Sequence, residues 1–170
     1  APTAKTLPAG DKVQRGVAWP SPRFTKNLNG GGTPDGTVTD NLTGLIWLAN
    51  ASCFGVRTWV EAMTLAKGLA SGTCGLTDGS IAGQWRLPNV KELTSLLHFG
   101  YSIPALSNTA GTGQMTGGDP FTNVEVGHYW TSSAYAYNPT YVWFVDLYYG
   151  DVTANSRDYT NPVWPVRGGQ

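Results

Sequence analysis

Few side chains in this 170-residue chain are of the types that make or break covalent bonds. There are two histidines, two cysteines and eleven scattered acids. His128 and Asp146 could serve Ser132 or Ser133 as base and orienting acid. That chemistry needs all three groups within hydrogen-bond reach, and no nucleophile elbow surrounds either serine. Cys53 and Cys74, with two widely separated histidines, lack the close ligand spacing of a zinc site. No acidic run has calcium-ligand spacing, so no metal is assigned. Gly111-Thr112-Gly113 and Gly117-Gly118 lack the strand-to-helix context of a phosphate loop, and no cofactor is assigned. The chain reads as non-enzymatic, with no catalytic residue.

Recognition is the better-supported chemistry. Between Ser133 and Asn161 the ligand-binding candidates are Tyr135, Tyr137, Asn138, Tyr141, Asp146, Tyr148, Asp151, Asn155, Asp158 and Tyr159. Tyr and Asn supply large contact area and adaptable hydrogen bonds at low entropic cost, as in antibody paratopes. Tyr135, Tyr141 and Tyr148 are the candidates for stacking on sugar rings. Trp130, Trp143, Leu147, Val163 and Trp164 are expected to form the frame behind them. Tyr129 to Ser133, Tyr141 to Tyr148, Val152 to Asn155 and Val163 to Val166 read as strands. In the second, Trp143, Val145 and Leu147 are expected to face the core, alternating with Phe144, Asp146 and Tyr148, while Phe144 suggests partial burial on both sides.

Two capping boxes place the helices. Thr58 with Glu61 opens one, whose buried stripe is expected to be Trp59, Ala62, Met63, Ala66 and Leu69. Asn89 with Glu92 opens a second, carrying Val90, Leu93, Leu96 and Leu97, and closing at His98. Before it, Trp85-Arg86-Leu87-Pro88 sends the Arg86 guanidinium into a mostly apolar region, where fixed partners such as a carboxylate or carbonyls are required. Trp85, Arg86 and Glu92 are therefore read as structural. Thr37 to Asp40 and Leu45 to Leu48 read as a hairpin, with Asp40 capping its turn. Lys26 to Asp35 reads as a turn region, and residues 100 to 127 as irregular.

Eleven basic residues balance eleven acidic ones. That excludes a broad nucleic-acid footprint or a polybasic membrane patch. No apolar run is long enough to span a bilayer. Abundant Gly, Pro, Trp and Tyr suit a loop-rich extracellular domain. Ala1-Pro2-Thr3-Ala4 has the look of a chain start after signal-peptide removal. A secreted or cell-surface location is expected, in which Cys53 and Cys74 pair; buried thiols in a reducing compartment are the alternative. Residues 1–22, rich in proline, read as an extended arm, and residues 23–170 as one domain.

Several segments together resemble the Legionella collagen-like-protein C-terminal domain family. They are Trp85-Arg86-Leu87-Pro88-Asn89-Val90-Lys91-Glu92-Leu93, Pro22-Arg23-Phe24, Gly36 to Asp40 with Thr43 to Trp47, Tyr129 to Ser133, and Val163 to Gly169. The resemblance spans roughly residues 16 to 169. It implies an α+β, C-type-lectin-like fold: two short helices, a twisted and mainly antiparallel sheet, and much irregular loop. It also implies kinship with formylglycine-generating enzymes and with retroelement variable proteins. Those enzymes use cysteines in the C-terminal part of the domain; this chain has none there, which argues against an oxidoreductase.

Two functional expectations result. In one, copies self-associate through the N-terminal arm into an extracellular assembly or fibre. In the other, a monomeric or small-oligomer adhesin, diversified by a retroelement, meets a cell-surface glycan or protein with its Tyr/Asn-rich surface.

Overall fold

The hairpin read from Thr37 to Leu48 is present. In the computed structural model, which describes residues 19–168, it consists of β2 (Pro34–Asp40) and β3 (Ile46–Leu48), paired antiparallel. Asp40 caps the turn: its Oδ1 accepts from the Leu42 amide and its Oδ2 from the Thr43 hydroxyl. A further strand, β1 (Phe24–Leu28), lies on the outer side of β2, with Phe24 opposite Asp40. Lys26 to Leu28 belong to the stretch expected as a turn region on its Gly, Asn and Pro content. Pairing with β2 makes them part of a strand, and the turn proper is held by Asn29 Oδ1, which accepts from the Gly31 and Thr33 amides. The arm expected over residues 1–22 falls mostly on residues 1–18, outside the described ones, and so does the self-association assigned to it.

Cys53 and Cys74 form a disulfide with Cα atoms 5.7 Å apart. It closes the loop around α1 (Trp59–Gly68), worth about 3 kcal/mol on a chain-entropy estimate. Just before α1 runs the short strand β4 (Val56–Arg57). The Thr58/Glu61 capping box is made as the spacing predicts. Ala62, Ala66 and Leu69 are buried, but Met63 is 38% exposed, so the inward stripe is narrower than expected. After α2 (Val90–Thr94) come β5 (His128–Ala134), β6 (Tyr141–Asp146), β7 (Asp151–Ser156), β8 (Asn161–Pro162) and β9 (Val166–Arg167). α2 is shorter than its apolar stripe: Leu96 and Leu97 are buried beyond its end, and His98 lies past it, stacked on Tyr101.

The strands form three small sheets: β1-β2-β3-β9, β4-β8 and β5-β6-β7, with antiparallel pairing between all named strands. The expected strand Val163 to Val166 is split. Pro165 has no amide to donate, so the ladder with β3 begins at Val166. The protein is thus α+β with two helices and mainly antiparallel sheets.

Trp47, Trp85, Trp130 and Trp164 are fully buried. The indole of Trp164 donates to Leu48 O at 2.8 Å, that of Trp130 to Arg57 O at 2.7 Å and that of Trp85 to Ser80 Oγ at 2.9 Å. Burying an indole is favourable when its N–H is met in this way. Trp164 touches Trp47, Phe121 and Tyr129 with ring centroids 4.8–5.6 Å apart, which binds β3 to β5 through the C-terminal segment.

β6 is buried on both faces. Val145 and Leu147 join the main core, while Val142 and Phe144 join a second cluster with Trp130, Leu87 and two alanines of α1. The burial on both sides that Phe144 suggests is therefore present, and it extends to Val142. α1 covers one side of the sheet, and a strand covered on both sides loses its polar alternation.

Arg86 has the partners its position demands. Its two Nη atoms each donate to one oxygen of Glu92 at 2.7 Å, and Nη2 also reaches Gly168 O at 3.0 Å. Its side chain is 33% exposed, so it is less buried than its apolar neighbours suggest. Burial pushes the Glu92 carboxyl up, but Arg86 and the Asn89 amide outweigh that and leave it below the usual range. A lowered native pKa means that the unfolded chain binds more protons, so this contribution is complete above the ordinary value of about 4.3 and is lost as pH falls through the native pKa. Urea titrations of wild type and Glu92→Gln from pH 7 to pH 3 should therefore converge on acidification. Parallel curves would contradict this.

Candidate functional site

β5, β6 and β7 carry most of the recognition candidates. β5 bulges between Trp130 and Ala134, where the ladder with β6 shifts register. Such a bulge re-aims the side chains that follow it. Thr131 fixes it, donating from Oγ1 to Trp143 O at 2.6 Å and accepting the Trp59 indole at its carbonyl. The tip beyond is closed by main-chain bonds: Tyr135 N to Tyr141 O, Asn138 N to Tyr135 O, and Tyr141 N to Asn138 O.

On this tip four aromatic rings form a continuous ledge. Tyr135 lies 5.7 Å from Tyr137, 6.4 Å from Tyr141 and 5.2 Å from Trp143 between ring centroids. Tyr137 is 90% exposed, and the other three are half-buried. Trp143, read as part of the hidden frame, is instead a ledge member. It lies on the same face as Val145 but beyond the edge of the core.

The ten candidates do not share one surface. Asp146 is 3% exposed and its Oδ1 is taken by the Tyr148 and Tyr149 amides, so it caps the turn after β6. Its expected role as an exposed ligand contact is corrected accordingly. Asn138 Oδ1 is likewise engaged, by the amide and hydroxyl of Thr140. Asp151 and Asn155 sit opposite Asp146 and Val142 in the ladder, which places them on the face away from Tyr141 and Trp143. Tyr148 packs edge-on against Tyr149 at the far end of β6, about 20 Å of strand from the ledge. Asp158 and Tyr159 are exposed and return to the ledge end, since the Arg157 amide donates to Thr140 O.

The serine triad is not assembled. His128 stands by Asp146, but Ser132 Oγ donates to Pro88 O and Ser133 Oγ accepts from the Val90 amide. The Tyr129 phenol belongs to the core. Burial pushes its pKa up, and the Glu125 amide, donating to it at 2.7 Å, offsets this only in part. The ledge itself carries no ionisable group but phenols, so it can offer π-faces and hydroxyls to a ligand.

A disulfide-pinned α+β domain with a tryptophan core and an aromatic tip defines the class of molecule. The chain belongs to the Lcl C-terminal domain family, whose model matches residues 36–167. No curated protein matches it. The matched region excludes β1 and Pro22-Arg23-Phe24, but the fold joins them to it: Arg23 donates from Nε and Nη2 to Asp40 at 2.7 and 2.8 Å. Among the described residues no helix is long and apolar enough to cross a membrane.

Proposed function

We propose that this domain is a secreted or surface-displayed recognition module of C-type-lectin-like fold, which binds carbohydrate on the ledge of Tyr135, Tyr137, Tyr141 and Trp143 without turnover. The observation that carries this reading is the ledge itself. Tyr135 gathers the rings of Tyr137, Tyr141 and Trp143 around it at the solvent boundary, on a tip whose backbone is closed without them. Aromatic surface left exposed in this way costs hydration free energy that a stacked ligand recovers. A sugar ring offers apolar faces for stacking and hydroxyls for the phenol groups. The formed disulfide fits an oxidising compartment.

Replacing Tyr135, Tyr137 and Tyr141 together by Ala should leave the melting temperature within about 3 °C of wild type, because surface changes seldom cost much. Glycan binding should weaken by about 30-fold or more, the loss expected for truncated aromatic anchors. A glycan array and affinity titration of both proteins measure this. Unchanged capture in the triple variant would place recognition elsewhere, and no capture by wild type would exclude a carbohydrate ligand.

A further inference from the structure

At the end of the three-stranded sheet opposite the ledge, His128, Asp146 and Asp151 stand in one row. The ladder pairs His128 with Asp146 and Asp146 with Asp151, so all three side chains leave the same face. One nitrogen or oxygen from each lies within 4.8 Å of the other two. His128 Nε2 is 3.9 Å from Asp146 Oδ2.

Two observations go beyond proximity. The Asp146 side chain is 4% exposed, and while its Oδ1 holds two amides, its Oδ2 accepts no hydrogen bond from any described residue and is turned towards His128. Further, Asp146 and Asp151 are like charges directly opposite each other, an arrangement that weakens a ladder. Among the described residues no Lys or Arg forms an ion pair with either.

We infer that His128 Nε2, Asp146 Oδ2 and one carboxylate oxygen of Asp151 bind a divalent transition-metal ion, with zinc the best match. Mixed imidazole and carboxylate donors suit zinc, whereas calcium and magnesium take oxygen alone. Ligand atoms in a tetrahedral zinc site lie about 3.4 Å apart, so small side-chain rotations close the row. Asp151 is exposed and can turn. The His128 ring is steadied edge-on by Phe144, with centroids 4.5 Å apart. The two amides on Oδ1 orient Asp146 to bind through its remaining oxygen. The bound ion ties β5, β6 and β7 together at the turn that carries Tyr148 and Tyr149. This site is independent of the ledge and of its ligand.

Calorimetric titration of the intact chain with zinc chloride, and separately with calcium chloride, tests the inference. One zinc per chain is expected, with calcium at least about 100-fold weaker. His128→Gln and Asp151→Asn should each weaken zinc by at least about 100-fold, more than the loss of a supporting group alone. His98→Gln, which alters the only other histidine, should bind like wild type. Metal-free Asp151→Asn should melt no lower than wild type, because it removes a like-charge pair, so its lost affinity is not a folding defect. No saturable zinc binding, calcium binding as tight as zinc, or full affinity in either ligand variant would each overturn the site.

Discussion

Asp40→Ala is expected to cost about 3–5 kcal/mol, the loss typical when one member of a buried ion pair is removed. Arg23 and Asp40 are both fully buried and joined by two hydrogen bonds, and Arg23 Nη2 also reaches Ser95 O at 2.9 Å. The guanidinium lies 4.2 Å from the Trp19 ring centroid and 4.8 Å from that of Phe24. Arg23 Nη1 already lacks a partner among the described residues, so taking away the carboxylate would leave the buried charge with no opposite charge and only the Ser95 carbonyl and the two rings. Asp40 also holds the Leu42 amide and the Thr43 hydroxyl, so the turn between β2 and β3 loosens as well. Arg23→Met/Asp40→Leu should recover part of the loss, by removing the stranded charge, but not the turn bonds. Urea unfolding of the single and double variants measures both terms. A loss below about 1 kcal/mol for Asp40→Ala would show that the pair does not contribute as its burial demands.

Gly36→Ala should cost about 3 kcal/mol or more. Gly36 lies in β2 with φ +86°, a conformation that disfavours any side chain, and a Cβ there would stand 2.6 Å from the Gly75 carbonyl oxygen. That carbonyl is backbone, next to the disulfide at Cys74, so it cannot move aside cheaply. Gly72 is the control. Its φ is +91°, but a Cβ at that position would meet nothing within 4 Å, so Gly72→Ala should cost only about 1–2 kcal/mol, the left-handed penalty alone. Equal losses at the two positions, by urea midpoint, would mean that the close approach of β2 to the Gly75 loop carries no energy.

What could be read from the sequence was set by short spacing. Both capping boxes depend on residues three apart, and both are made. The β2–β3 hairpin is similarly local; the need of Arg86 for a fixed partner was legible, but not that Glu92 supplies it. Pairing across strands was hidden. Arg23 and Asp40 are 17 positions apart and meet only because β1 lies beside β2. The side chains of the candidate surface were visible as types, not as places. Asp146 has the chemistry of a ligand contact, yet a turn consumes one of its oxygens; Trp143 has the chemistry of a core residue, yet stands beyond the core edge. Alternation along β6 assigns each side chain to a face, but whether that face is covered depends on α1 and on where the core ends, and periodicity within the strand cannot reveal that.

Closure of the β5–β6 tip by peptide groups, helped by the side chains of Asn138 and Thr140, has an engineering consequence. Those bonds are indifferent to which side chains sit on Ala136, Tyr137 or Pro139. Randomised libraries at these positions would therefore alter what the molecule grips while leaving its melting behaviour nearly constant, which is the property sought in a scaffold for selecting new affinity reagents.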